Sequence, residues 1–543
     1  MPTLNWIGKE AVVNHDKEVS FRLLKKVKSA SVGDNSQNLI IHGDNLEALK
    51  SLMPYYQGKI KCIYIDPPYN TGNESWVYND KVNSAKISKW LGKVVGGESE
   101  DLCRHDKWLC MMYPRLKLLK DLLSQDGVIF ISINEEELYN LKFLCDEIFG
   151  DDNYLTTFTV KVRHEDRILK GDKDFHEVVE YLLMYRVSKI YTPLKRQIDN
   201  TSIEEYVYSI EELNKNPSEK MLGSKKVKIY KPSEFKIIKN NPSKEHLKKI
   251  NIRGSIKEGN SSGRFYMGYL NEIRGNYKGY LIKVPDMGAD GLGYRYFLIP
   301  KDDKKSNGDY FQGIPIERPQ SKDIPYPNFL DFEEDFNRVG YEGEVDFRNG
   351  KKPIGFLSHL FKIAGTNNNS IVLDSFAGSG STGHAVLDLN KNDGGSRKFI
   401  LIEMEDYAKD MTAERIKRAI EKEGYNEGFE YCELDKPLFN EEGRIEEECN
   451  FEQLATYIYF TETNTNLDKK VMDKYFIGDY NETEFYLLFK EKDKNILNKE
   501  FLQKIHKSNK KKVIYADKCL IDDKTLIKFN AQFKQIPYEV KVY

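Results

Sequence analysis

Short apolar runs alternate with amphipathic stretches in two separate parts of this chain, and that alternation limits the fold more than any other feature. In the first part, residues 61–65 form an apolar run closed by Asp66-Pro67-Pro68-Tyr69, whose prolines cannot continue a central strand. Residues 105–123 carry helical spacing with Pro114 as a kink or break, and 127–133 (GVIFISI) read as a buried strand. Residues 135–149 read as an amphipathic helix stopped at Gly150, and 178–185 as a further strand. In the second part, 353–364, 381–390 and 405–423 read as helices, with 370–374 and 398–403 as strands. Alternation of this kind predicts a parallel α/β sheet. From about 186 to 345 the sequence is irregular, lysine-rich and dotted with Gly and Pro, as a separate domain or a long insertion would be. From about 451, aromatic strand-like runs mix with lysine-rich segments.

Net charge alone misleads. The 83 basic and 85 acidic residues give −2, which would not suggest a nucleic-acid binder. Residues 221–283, however, hold 15 Lys and Arg against four Glu, a local +11, while 427–452 hold ten acids against Lys436 and Arg444. A charge run is ordinarily a solvated face, but a block this lopsided reads better as an electrostatic footprint for a polyanion. No apolar stretch approaches the ~20 residues of a membrane-spanning helix, and the first residues lack a signal-peptide pattern. Seven cysteines with no CxxC pair argue against a disulfide scaffold or a zinc site. A cytoplasmic protein with reduced thiols is expected. His42, His105, His176, His359 and His384 have no ligand spacing and read as structural hydrogen-bonders, so no metal is expected.

Two constellations carry chemistry. At 374–386 a strand enters a glycine-rich turn that opens a helix, which suits close approach of a nucleotide-like ligand to backbone amides. Gly378, Gly380 and Gly383 fit GxGxxG, and Glu403 ends the next strand 25 residues after Gly378, where an acid would accept hydrogen bonds from ribose hydroxyls. No Gly-Lys-Ser/Thr follows, so a P-loop is excluded. The pattern points to an adenosine-containing cofactor without choosing which one, and a dinucleotide-dependent oxidoreductase stays open at this point.

The second constellation is Asp66-Pro67-Pro68-Tyr69-Asn70, placed after a strand at the edge where open α/β sheets bind ligands. An exocyclic amino group is a poor nucleophile because its lone pair is delocalised into the base. Acceptors on its two hydrogens favour the pyramidal geometry that frees the lone pair. The Asp66 carboxylate and the Pro67 carbonyl are such acceptors, and Tyr69 offers a face on which a planar base can stack. No Pro-Cys nucleophile of the cytosine-C5 type accompanies the motif, which argues against carbon methylation.

With these residues the chain resembles the amino-group DNA methyltransferases that use S-adenosylmethionine, in their circularly permuted β arrangement. There an Asp/Asn/Ser-Pro-Pro-Tyr motif comes first, a target-recognition domain second and a Phe-x-Gly-x-Gly motif third, the order of Asp66–Tyr69 and Phe376-Ala377-Gly378-Ser379-Gly380 here. It is most similar to the modification subunits of Type III restriction-modification systems. Asp66 to Gly72, Trp108 to Leu116, Gly127 to Ile133 and Thr456 to Thr463 carry that likeness, while Ser375 stands where relatives often have Pro.

The resemblance implies a Rossmann-like α/β domain with a mostly parallel seven-stranded sheet, an inserted target-recognition domain and a small C-terminal α+β region. The expected division is 1–185, 186–345, 346–430 and 431–543. It implies a site-specific DNA adenine-N6 methyltransferase acting on flipped-out adenine in double-stranded DNA, since Asp rather than Ser opens the motif. Asp66, Pro67, Pro68 and Tyr69 would be catalytic. Asp44, Lys352, Pro353, Asp374, Phe376, Ala377, Gly378, Gly380 and Glu403 would form the S-adenosylmethionine site, with S-adenosylhomocysteine as product and no metal required. Lys225, Lys226, Lys228, Lys248, Lys249, Arg253 and Arg264 are the candidate DNA contacts. A homodimer is implied, to which the aromatic C-terminal segment could contribute, and a restriction (helicase–nuclease) subunit would be the partner. A solitary methyltransferase, a cytosine-N4 enzyme and an idle DNA-binding module are the alternatives.

Overall fold

The computed structural model of the protein describes residues 3–33, 36–70, 92, 103–166, 175–199, 203–252, 261–301, 308–316, 321–345, 347, 350–425, 427–439, 444–446, 449–489, 495–505 and 508–536. Its main sheet has ten strands: β1 (Arg22–Lys26), β2 (Leu39–His42), β3 (Ile60–Ile65), β4 (Leu123–Ile133), β5 (Tyr154–Lys161), β6 (Val179–Arg186), β7 (Phe329–Asp331), β8 (Ile371–Asp374), β9 (Lys398–Glu403) and β10 (Glu430–Pro437). They lie side by side as β1-β10-β2-β9-β8-β3-β4-β6-β5-β7. Pairing is parallel from β10 through β4 and again at β5–β7, and antiparallel at β1–β10, β4–β6 and β6–β5. The sheet is therefore mixed and ten-stranded, where the resemblance implied seven mostly parallel strands; β1 and β10 extend one edge and β7 the other.

Ile63, Ile65, Ile129, Ile131, Leu183, Leu373 and Ile400 are fully buried, as central strands covered on both faces require. Helices α1 (Asn45–Tyr56), α2 (Arg104–Leu122), α3 (Glu135–Phe149), α4 (Ile354–Ile363), α5 (Ser381–Asp393) and α6 (Glu414–Glu423) belong to the same unit. Trp108, Leu109, Leu116, Leu119, Leu141 and Leu144 of α2 and α3 share one core with β3, β4 and β6. Pro114 does not end α2. It is buried in that core, and packing of the apolar face outweighs the one hydrogen bond a proline removes.

Lys195–Tyr326 forms a second compact unit, and the rest of the chain forms the first. The inserted unit is shorter than the 186–345 read from composition, because β7 and the residues up to Leu194 belong with the main sheet. Its apparent irregularity conceals an eight-stranded antiparallel sheet, ordered Phe235–Lys239, Tyr206–Glu212, Leu247–Asn251, Asp309–Gln312, Tyr294–Leu298, Leu281–Pro285, Lys225–Tyr230, Ser218–Leu222. Val227, Ile229, Ile282, Val284 and Phe297 form its core. The strands are short and alternate lysine with apolar residues, which blurs them in a sequence.

The C-terminal part departs from the strand-like reading at its start. Asn450 and Gln453 form a capping box, and Phe451–Thr463 is a helix, α7. A four-stranded sheet follows, Phe476–Tyr480, Thr483–Leu487, Lys511–Ala516 and Ala531–Gln535. Tyr457, Tyr459, Tyr475 and Phe476 pack into its two cores and Phe460 packs on the main core, whereas Tyr480 is exposed. No helix among the described residues is long and apolar enough to cross a membrane.

Candidate active site

β3 and β8 are parallel neighbours, with Cys62 opposite Val372 and Ile63 opposite Leu373. Both therefore deliver their C-terminal loops to the same sheet edge, and the two motifs, some 300 residues apart in sequence, open into one cavity. Asp66, Pro68, Lys352, Asp374, Phe376, Ala377, Gly378 and Glu403 line it, together with Asn45, Arg115, Ser375 and Tyr407.

Asp374 shapes the glycine-rich turn. Its Oδ1 accepts from the Phe376 amide at 2.9 Å and its Oδ2 from Thr382 Oγ1 at 2.6 Å. Gly378 and Gly380 have φ of +52° and +81°, where a side chain is strained, and a Cβ at Gly380 would lie 3.0 Å from Thr412 O. At Gly383 a Cβ would lie 2.9 Å from Ile416 Cδ1, so the third glycine lets α5 approach α6. Arg415, fully buried on α6, donates to Ser379 Oγ (2.9 Å) and Ser381 Oγ (2.8 Å) from behind the turn. Glu403 accepts from the amides of Gly378 (2.8 Å) and Glu405 (2.9 Å). With a further bond from the Tyr407 hydroxyl, these leave about one acceptor position on a carboxylate that has about four lone-pair sites. Burial pushes both Asp374 and Glu403 up to about 7.

Around Asp66 the charges are denser. Burial pushes its carboxyl up to about 6, against the pull of Lys352. Lys352 Nζ lies 3.3 Å from Asp66 Oδ1, an ion pair without the alignment of a hydrogen bond, so that oxygen has no hydrogen-bond partner among the described residues. The same ammonium donates to Tyr69 Oη and to Glu180 Oε2, each at 2.8 Å, and the Tyr69 hydroxyl donates to Glu180 at 2.9 Å. Trp108 Nε1 donates to the Pro68 carbonyl at 2.7 Å, while Pro67 is buried beside it. Asn70 closes the motif at φ +60°, and its amide donates to the fully buried Glu137. His105 Nδ1 and Asn140 hold the same carboxylate at 2.7 and 2.8 Å.

Several expected residues are placed differently. Asp44 is the N-cap of α1, accepting from the amides of Leu46 and Glu47, and does not line the cavity; its neighbour Asn45 does. Pro353 is the N-cap position of α4, and Lys352 belongs with Asp66 as much as with the cofactor side. In the inserted unit, Lys225 Nζ is spent on the carbonyls of Pro285 and Asp286. Lys226, Lys248 and Lys249 pair with Glu219, Glu205 and Asp309, acids outside the +11 window that strand pairing brings alongside. Lys228 and Arg264 are exposed, and Arg253 lies outside the described residues. Glu180 was missed because it is a lone acid in an apolar strand, and Asn45, Arg115 and Arg415 because each stands in a helix beside other polar residues, where a solvated face is the ordinary reading. His164, Glu165 and Glu333 bring donor atoms within 4.8 Å of one another, but Lys161 Nζ already sits 2.9 and 2.8 Å from the two carboxylates.

A strand-end carboxylate faces a glycine-rich turn across one cavity on a mixed α/β sheet, an arrangement suited to a nucleotide-like ligand. The family model described as DNA methylase matches residues 60–414, and the chain belongs to that family. It is 29% identical over 445 residues to the EcoPI Mod subunit, a type III restriction-modification enzyme of Escherichia phage P1, covering 74% of this chain and 64% of that one. To the StyLTI Mod subunit of Salmonella typhimurium it is 29% identical over 453 residues, covering 78% and 60%. The chain thus spans less than two thirds of either relative's length. Among solved structures it is similar to the M1.HpyAVI–SAM complex, with 12% identity, a TM-score of 0.30, and coverage of 69% of this chain and 99% of that one. Family membership removes the oxidoreductase reading.

Proposed function

We propose that the protein is a site-specific DNA methyltransferase that transfers a methyl group from S-adenosylmethionine to the N6 amino group of adenine. We further propose that it serves as the modification subunit of a Type III restriction-modification system. The observation that carries the reading is the shared cavity: Asp66 and the Phe376–Gly380 turn face one space from neighbouring strand ends. The residues fit the cofactor. Four acids line the cavity, Asp66, Asp374, Glu403 and Glu405, against two cations, Arg115 and Lys352, which favours a positively charged ligand. Ser375 Oγ is buried in the same wall without a partner among the described residues, and Glu403 keeps acceptor capacity for a ribose hydroxyl.

Bound there, S-adenosylmethionine would supply a methyl group made electrophilic by its sulfonium. Glu403 and the backbone around Gly378 would orient it, and Phe376 would pack on it. A base inside a duplex is out of reach of this cavity, so the target must be extruded. Asp66, as the carboxylate, accepts a hydrogen of the amine and directs its lone pair. Tyr69, its hydroxyl tied to Glu180 and Lys352, is buried beside the cavity without lining it, and its ring would be the stacking face once the extruded base enters. The inserted unit, with its exposed lysines, would read the target and hold phosphates. The homodimer rests on the resemblance, because the aromatics that hinted at it are packed within their own chain; light scattering at micromolar concentration should give the mass of a pair.

Expression in methylation-free cells, followed by genome-wide mapping of modified bases, tests the reading. N6-methyladenine at one sequence motif is the expected result. N4-methylcytosine, or an unmodified genome with active protein in the extract, would overturn it.

A further inference from the structure

No motif announces Glu180, yet it meets the two residues on which the chemistry turns. It stands on β6, opposite Val160 of β5, while Tyr69 comes from the end of β3 and Lys352 from just before α4. Three stretches distant in sequence thus bring two carboxylates, an ammonium and a phenol together, with both Glu180 and Lys352 largely withdrawn from water.

The hydrogen-bond directions follow from chemistry. An ammonium only donates. At 2.8 Å from Lys352 Nζ, the Tyr69 oxygen must be the acceptor, which leaves its hydrogen for Glu180 Oε2 at 2.9 Å. A second N–H of Lys352 goes to that same Glu180 oxygen, and only the third points toward Asp66, over the longest of the three distances. Had Lys352 faced Asp66 alone, it would donate squarely into the carboxylate that has to accept the amine. With two partners at 2.8 Å behind it, the ammonium stays near Asp66 without covering Oδ1.

We propose that Glu180 and Lys352 are positioning residues for Asp66 and Tyr69: Lys352 keeps Asp66 ionised, while Glu180 draws the ammonium back from it and anchors the Tyr69 hydroxyl. The inference rests on the methyl-transfer reading. Asp66 is faced by Lys352, Glu180, Tyr69, Tyr64 and Asp374. Among these Lys352 and, less, the Tyr69 hydroxyl favour its charged form, and Glu180 opposes it. Removing either charge must therefore move Asp66 in opposite directions.

The test is single-turnover methyl transfer to DNA by the full chain, followed against pH at saturating S-adenosylmethionine. Circular dichroism and thermal unfolding check that each variant is folded. Activity requires ionised Asp66, so its loss on acidification reports that group. In Lys352→Met the acid limb should move up by about one pH unit, and in Glu180→Gln down by about one unit, the low end of shifts from a neighbouring charge. Lys352→Arg, which keeps the charge, should restore the parent's limb. Limbs that stay in place, or move the same way, would overturn the proposal, because a merely structural pair lowers the amplitude and leaves the pH dependence alone. If Lys352→Met does not fold, the isosteric Glu180→Gln decides by itself. A parent chain that transfers no methyl group refutes the methyl-transfer reading and this proposal with it; an active parent with unmoved limbs refutes this proposal only.

Discussion

The inserted unit and the main unit use charge in opposite ways. Lys195–Tyr326 holds 25 basic against 17 acidic residues, +8, and the remainder holds 58 against 68, −10. In the main unit a few charges are buried at strand ends, acids outnumbering cations, where removal from water makes each of them consequential. In the inserted unit the lysines are mostly exposed and their acid partners come from neighbouring strands, so each pair is worth only ~0–1 kcal/mol and gives way readily to a phosphate. Chemistry in this protein is a matter of single positions, whereas the proposed DNA affinity is a matter of sums.

That contrast can be broken most directly at Asp66. Asp66→Ala should lower methyl transfer by about 10²–10³-fold or more, the scale of losing one preorganised hydrogen-bonding group, with cofactor affinity unchanged. A folded variant that no longer binds S-adenosylmethionine would move Asp66 into the cofactor site. Glu403→Ala should instead weaken cofactor binding without DNA by about 2 kcal/mol, roughly 30-fold, since hydrogen bonds to a charged acceptor are lost. Parent-like affinity in calorimetry would take Glu403 out of the site. Tyr69→Ala should cost about 1–3 kcal/mol in productive engagement of the extruded base, read as kcat/KM on DNA; unchanged kinetics would leave the ring idle.

Single changes in the inserted unit should be smaller. Lys228→Gln is expected to lower DNA binding alike on all sequences and to flatten the log–log salt slope by about 0.9, the share of the single phosphate that this lysine would neutralise. Lys226→Gln and Lys249→Gln should do less, because each lysine already has a carboxylate beside it. Lys225→Gln should leave the slope alone and cost about 1 kcal/mol of stability in denaturant unfolding, since its ammonium holds the carbonyls of Pro285 and Asp286. Equal slope changes in all four would mean that the unit works as one undivided basic face.

Half of the main sheet could be read from the chain. Strands β3, β4, β6, β8 and β9 and helices α2 to α5 are announced by local pattern, because a strand buried on both faces must be apolar throughout and a covering helix apolar on one side. The two motifs were equally legible, since a loop at a strand end needs its special residues in consecutive positions. The inserted sheet was not, as its short strands owe their cohesion to partners far along the chain. Nor was α7, whose aromatics suit a strand as well as a helix; the capping box at Asn450 was the overlooked signal.

By itself, then, the sequence determined the strand-end carboxylate, the glycine-rich turn and the α/β class, all of which depend on residues next to one another. Tertiary structure decided that these two motifs share a cavity, that Asp44 caps a helix, and that Lys352 turns toward Asp66. It also showed that three lysines of the +11 window are paired with Glu219, Glu205 and Asp309 from outside it. Glu180 is the clearest case: one carboxylate within an apolar strand, given its partners only when β6, the end of β3 and the start of α4 come together. Charges interact through space, and the distance between them is not written in their spacing along the chain.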